Sequence, residues 1–243
     1  MAKQSRKQGV QNKAGSRIVI GVPCQDNVAA MFSYDYGQLI GWTMAAAVDC
    51  SMQPLYVRGT LIGPQRDTIV ERAMEVDATH ILWLDSDMRF PKNALEVLLK
   101  HDKDIVGTNY CKRLPPFVPT ATAEGMQFHT FDDSSGLVPV DSLGMGCILT
   151  KVSVFRDMKQ PIFPIGWDEE LKRYIGEDVA FQRKARLAGL TIYCDQDLSK
   201  MVSHVGTMEF TYMHALDAAE VMGRAEKGVA EHGTDHKLRI ASS

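Results

Sequence analysis

The residues His80-Ile81-Leu82-Trp83-Leu84 form a near-continuous apolar run of strand length that stops at the acidic triplet Asp85-Ser86-Asp87. A strand that is apolar at consecutive positions, rather than alternate ones, needs cover on both faces, as a parallel strand between two helical layers has. The chain around it offers those layers. Short apolar strands are expected over 17–23, stopped by Pro23, over 53–57 and over 104–108. Between them lie helices over 37–48 and 65–76, the latter with Ile69, Val70, Ala73, Met74 and Val76 at helical spacing, and a third from Pro91 to about Lys100. Strands alternating with helices predict an α/β sandwich with a mostly parallel central sheet.

Beyond residue 108 the pattern loosens. Pro115, Pro116, Pro119, Gly125 and Gly136 mark loops and an irregular hairpin over 109–141. A strand over 143–150, a short helix over 152–158, a helix over 176–188 closed by Gly189, a strand over 191–194 and a C-terminal helix over 212–231 complete the expectation. This divides the chain into a basic disordered arm, 1–16, one domain, 17–231, and a tail, 232–243. Within the domain, 17–108 resembles a nucleotide-binding unit, and 109–231 makes up the other half with the C-terminal helix.

A chain of 243 residues, 45% hydrophobic and 23% charged, can bury a full core. No apolar stretch approaches the ~20 residues needed to cross a bilayer, and the N-terminus has no apolar segment of a signal peptide, so no membrane span and a cytoplasmic location are expected. Five cysteines, widely spaced and without a C-x-x-C pair, argue against a disulfide framework or a zinc knuckle. A net charge of -3 does not suit a general polyanion binder. The arm is different, because Lys3, Arg6, Lys7, Lys13 and Arg17 all precede the first acidic residue, Asp26. It reads as a solvated tail, with a nucleic-acid-binding arm as the alternative.

Three segments carry chemistry. In an extended backbone Asp85 and Asp87 point the same way, at the carboxyl end of a strand where open α/β sheets bind ligands. Such a pair repels itself unless a cation intervenes, and hard oxygen ligands beside phosphate suit Mg²⁺ or Mn²⁺; the competing role for Asp87 is to cap the following helix. Gly176-Glu177-Asp178 opens a helix, where a carboxylate can act as general base or can simply complement the helix dipole. Ser203-His204-Val205-Gly206 offers an imidazole, which would tilt a carboxylate and phosphate shell toward Mn²⁺.

In this order, with a strand ending in Pro and an Arg on a following helix, the motifs resemble glycosyltransferases of the GT-A fold, especially the family 2-like group, over residues 17–206. The stretch 71–91 looks like that family's central segment nearly throughout. The resemblance implies a GT-A-type nucleotide-binding sandwich, a single catalytic domain over 17–231 with 17–108 as its nucleotide-sugar-binding half and 109–231 as its acceptor half. It implies that Asp85 faces the donor ribose or a metal-bound water, that Asp87 and His204 hold the metal, and that Asp178 is the base of an inverting displacement with Glu177 beside it. Arg66 would lie near the donor nucleotide, Val22 and Pro23 beside the nucleobase, and Arg113 against phosphate or sugar. Asp67 stands where similar sequences often have Asn, and Met145-Gly146-Cys147 resembles the strand that frames the acceptor. The implied cofactor is Mn²⁺ or Mg²⁺, and the implied donor a nucleoside-diphosphate sugar, expected to be a UDP-sugar. The acceptor would be a carbohydrate or, since compact chains of this type also resemble bacteriophage enzymes, a hydroxymethylated base in DNA. Two other readings compete: a phosphatase of the haloacid dehalogenase type, which places its Asp-x-Asp on the first strand, and a non-catalytic module binding nucleotide sugars or nucleic acid. The segment 163–174, with Pro164, Gly166 and Trp167, reads as a mobile loop carrying an aromatic platform.

Overall fold

The computed structural model describes residues 15–113, 116–169 and 172–206. Nearly all of the basic arm, the helix expected over 212–231 and the tail 232–243 lie outside the described residues. In chain order the elements are β1 (Ser16–Cys24), α1 (Ala30–Ala45), β2 (Cys50–Arg58), α2 (Ile62–Glu75), β3 (His80–Leu84), β4 (Met88–Arg89) and α3 (Ala94–Lys100). They continue with β5 (Ile105–Gly107), β6 (Thr122–Ala123), β7 (Met126–Gln127), β8 (Leu137–Val140) and β9 (Cys147–Lys151), and a 3-10 turn, Val152–Phe155. Last come β10 (Gly166–Asp168), β11 (Arg173–Ile175), α4 (Glu177–Leu187), β12 (Ile192–Asp195), α5 (Gln196–Ser199) and β13 (Ser203–His204).

The fold is α/β around a seven-stranded mixed sheet of order β2-β1-β3-β9-β5-β12-β8. β1, β2, β3, β5 and β12 share one direction, while β9 and β8 run against them. The expected parallel character therefore holds for the strands that build the site, and the two reversed strands make the sheet mixed. The run in β3 is covered as its sequence requires. Ile81 and Trp83 pack with α2 and α4 residues such as Ile69 and Phe181, and Leu82 and Leu84 pack on the opposite face with Phe32 and Leu39 of α1 and Leu95 of α3. Trp83 is fully buried, so its indole N–H needs a partner, and donates to Thr150 Oγ1 at 2.9 Å.

Several boundaries differ from expectation for identifiable reasons. α1 begins at Ala30, before the glycines at 37 and 41 that blur its start in the sequence. β2 is a sheet-edge strand and carries Pro54, a residue such a strand tolerates. β8 hides behind Pro139 yet pairs antiparallel with β12. β9 starts at Cys147 rather than 143, because Tyr110 crosses the preceding residues: a Cβ at Gly144 would stand 2.3 Å from its phenol oxygen, and one at Gly146 2.7 Å. The irregular hairpin is β6–β7, turned by Glu124 and Gly125, both at positive φ. Among the described residues, no helix is long and apolar enough to cross a membrane.

Candidate functional site

Because β1, β2 and β3 run parallel, their last residues, Cys24, Arg58 and Leu84, finish at one edge of the sheet. A cleft of about 650 Å³ opens there, lined by Pro23, Gln65, Asp85, Asp87, Arg113 and His204 among others. Val22, its side chain fully buried in the core, does not line it. Gln65 was not expected from the sequence. Its amide donates to the carbonyls of Cys24 at 2.6 Å and Val57 at 2.7 Å, so one α2 side chain ties the ends of β1 and β2 together at the cleft wall.

Asp85 and Asp87 both line this cleft, but not by strand alternation, since β3 ends at Leu84 and a turn follows, with the Met88 N–H donating to the Asp85 carbonyl at 3.1 Å. The turn sends the two carboxylates to different partners. Asp87 Oδ2 lies 3.3 Å from His204 Nε2 and also accepts from the Arg113 guanidinium. Burial pushes this carboxyl up, but the hydrogen bond and charge of His204 and the charge of Arg113 together hold it below the ordinary carboxylate range. Backbone bonds fix the meeting. β13 pairs with β4, setting His204 opposite Met88, and the Val205 N–H donates to the Asp87 carbonyl at 2.7 Å. A Cβ at Gly206 would stand 3.0 Å from Cβ of Arg113, so the His-x-Gly spacing delivers the imidazole and leaves room for the guanidinium. The His204 ring meets Tyr110 edge-on at 5.5 Å, and its Nδ1 is buried with no hydrogen-bond partner among the described residues.

Asp85 accepts instead from Arg66 Nη2 at 2.9 Å, and Arg66 Nη1 donates to Glu177 Oε1 at 2.8 Å. At 2% exposure Arg66 is a buried bridge between the end of β3 and the start of α4, not a lining residue of the cleft. Burial alone would weaken its charge, yet the carboxylates of Asp85 and Glu177 hold the guanidinium more firmly protonated than usual. One cation serves an acidic neighbourhood. Burial pushes Glu177 up, and although Arg66 pulls the other way, Asp178 adds to the rise, which leaves it above its ordinary value.

Gly176 precedes α4 with extended backbone, and a Cβ there would lie 2.6 Å from Asp178 Oδ1. Glu177 and Asp178 then part company. Glu177 is committed to Arg66, whereas Asp178, whose Oδ1 accepts the Val179 N–H at 2.7 Å, lines a second cleft of about 460 Å³. Lys112, Met126, Ser142, Arg173 and Tyr174 form other parts of its wall. Tyr110, which opens the 110–113 segment whose resemblance places it near the donor, is buried near Asp85, Arg66 and Asp178; its phenol oxygen accepts the Gly146 N–H at 2.9 Å, and burial raises it well above its ordinary value.

The segment expected as a loop over 163–174 is anchored at its start and paired beyond it. Phe163 is buried against Trp83 and Phe181, and Asp67 Oδ1 accepts the N–H groups of Ile162 at 2.9 Å and Phe163 at 3.2 Å. Asp67 thus holds this segment on α2. β10 and β11 follow as a hairpin in which Trp167 pairs with Tyr174, the rings T-shaped at 5.3 Å and 49% and 72% exposed. The aromatic side chain expected on a loop thus stands on a strand.

Among the described residues, no group of three or more His, Cys, Asp or Glu side chains is arranged to hold a metal. Asp87 and His204 nevertheless present one carboxylate oxygen and one imidazole nitrogen to each other at the cleft wall. That pair fits a cation that fills its shell with water and phosphate oxygens. Asp85, bonded to Arg66, stands apart from it.

No protein-family model matches the chain, and no curated relative matches its sequence. Similar solved structures include protein A197 from STIV, 15% identical, covering 81% of this chain and 98% of that one, with a TM-score of 0.48. A glycosyltransferase involved in the glycosylation of the major capsid of PBCV-1 is 14% identical, with coverage of 79% and 95% and a TM-score of 0.41. A protein from Desulfovibrio desulfuricans G20 described as a nucleotide-diphospho-sugar transferase is 12% identical, with coverage of 73% and 78% and a TM-score of 0.37.

Proposed function

We propose that this chain is a glycosyltransferase that moves a sugar from a nucleoside-diphosphate donor, a UDP-sugar in the first instance, to an acceptor hydroxyl with inversion. One observation carries the reading: Asp87, His204 and Arg113 converge on one cleft at the carboxyl edge of the sheet, while Asp178 lines another. Diphosphate chemistry needs a charged site of the first kind, and deprotonation of a hydroxyl needs a carboxylate facing a separate space.

In this reading Pro23 and Gln65 border the donor, and Asp87 with His204 Nε2 would hold Mn²⁺ or Mg²⁺, which neutralises the diphosphate as it leaves. With Nε2 so engaged the imidazole proton sits on Nδ1. Arg113 turns from Asp87 to the phosphates, its exposed side chain being free to do so. Asp178 accepts the proton of the acceptor hydroxyl as that oxygen bonds to the anomeric carbon. The bond from that carbon to the diphosphate breaks, and the nucleoside diphosphate leaves with its electron pair. Arg66 holds Asp85 and Glu177 in place, so Glu177 positions and Asp178 reacts.

Slow hydrolysis of the donor in the absence of acceptor tests this. A transferase is expected to release sugar from a UDP-sugar when Mn²⁺ is present and to stop in EDTA. Binding without hydrolysis would favour a non-catalytic module, and release of phosphate from simple phosphate esters would favour a phosphatase.

A further inference from the structure

The second cleft has a basic lining. It adjoins a recess of about 270 Å³, and the two share Thr122, Gly125, Ser142, Arg173, Ile175 and Val179 along their walls. Together they are lined by four cations, Lys112, Arg173, Arg183 and Arg186, against two carboxylates, Asp141 and Asp178. The chain as a whole carries a net charge of -3, so this basic lining is local. Two of the cations are already spent: Arg186 pairs with Asp141 at 2.7 Å and Arg183 with Asp168 at 2.6 Å. Lys112 and Arg173, both exposed, have no carboxylate partner among the described residues. An ammonium and a guanidinium left unpaired in a concave wall focus a positive field into it and recognise phosphate or carboxylate oxygens. Tyr174 lines the same cleft and offers an aromatic face on which a sugar ring can stack.

We infer that the second cleft takes a sugar-sized acceptor bearing an anionic group, phosphate or carboxylate, near the hydroxyl that is glycosylated, with Lys112 and Arg173 binding that group. The inference rests on the transfer reading above. The cleft volume lies in the range of small-molecule sites, which fits a sugar unit. The neutral Met126 and Ser142 on the wall give no charge of their own, so selection falls to the two cations.

Calorimetric titration of the full chain with D-glucose 6-phosphate, D-glucuronate and D-glucose tests it. At least one charged sugar is expected to bind roughly ten-fold tighter than glucose or better, with the advantage shrinking as salt rises. The two charged sugars separate phosphate from carboxylate recognition. The double variant Lys112→Gln/Arg173→Gln, altered at two exposed side chains, is expected to fold normally and lose the advantage, whereas Asp87→Asn, in the other cleft, keeps it. Equal affinity for all three sugars, or no binding of any, overturns the inference. So does an advantage that survives the double substitution or disappears with Asp87→Asn, and so does binding of a short oligothymidylate when neither charged sugar binds. The transfer reading fails by a different sign, the absence of Mn²⁺-dependent donor hydrolysis, which these titrations do not measure.

Discussion

The two clefts divide the chemistry between an acidic wall and a basic one. The first stands on the ends of β1, β2 and β3 and sets Asp85 and Asp87 against Arg113 and His204. The second stands on the hairpins β6–β7 and β10–β11 and the start of α4, and sets Asp178 and Asp141 among four cations. An acidic wall suits a cation that itself binds diphosphate, and a basic wall suits an acceptor that brings its own negative charge. Between them lies Arg66, which touches Asp85 on one side and Glu177 on the other. One buried guanidinium thus bridges Asp85, which lines the first cleft, to Glu177, the chain neighbour of Asp178 in the second.

Arg66→Met should break that bridge, with the largest effect. It leaves Asp85 and Glu177 without their cation, and removing one partner of a buried ion pair costs about 3–5 kcal/mol. Urea unfolding measures this, and a loss below about 1 kcal/mol would mean that the two carboxylates are solvated. Asp178→Asn sharpens the comparison from the basic side. Asn still accepts the Val179 N–H but takes no proton, so sugar transfer should fall by roughly a hundred-fold or more while donor binding and folding persist. Transfer at near wild-type rate would make Asp178 a helix cap, and attention would move to Glu177.

Tyr110→Phe probes the ground between the clefts. The Gly146 N–H loses its acceptor, a cost of about 1–3 kcal/mol, visible in thermal melts. The smallest effect concerns pH. The carboxyl of Asp87 is held below its ordinary value of 3.8, so its contribution to stability is complete above that value and is lost as pH falls through the depressed one. Asp87→Asn should therefore flatten the acid end of the stability curve, its deficit against the wild type being largest at neutral pH and vanishing in acid. A curve that keeps its wild-type slope below pH 4 would show that His204 and Arg113 do not act on this carboxylate.

How much of this was legible differs between the clefts. The acidic wall was written in adjacent letters: an apolar strand, then two carboxylates, with His204 recognisable from its spacing to Gly206. Its detail was not. That Asp85 belongs to Arg66 and Asp87 to Arg113 depends on a turn after Leu84 and on pairing between β4 and β13, each only two residues long, too short for periodicity to reveal. Gln65 and Tyr110 act through hydrogen bonds to distant backbone, which no local pattern encodes. Arg66 looked like a donor contact from the family resemblance alone, yet it is buried between Asp85 and Glu177. The basic wall was almost unreadable. Lys112, Arg173 and Tyr174 come from loops and short hairpins, and their charges meet only after the chain folds. The sheet was read well where both faces are covered, as in β3, and poorly where Pro54 or Pro139 sits in an edge strand.

The central claim is that Asp87 and His204 make donor binding depend on a divalent cation. Calorimetry of the full chain with a UDP-sugar, in Mn²⁺, in Mg²⁺ and in EDTA, tests it most directly. The account predicts binding about ten-fold tighter or better in Mn²⁺ than in EDTA, Mn²⁺ at least matching Mg²⁺, and the advantage lost in Asp87→Asn. Equal donor affinity with and without EDTA would contradict it.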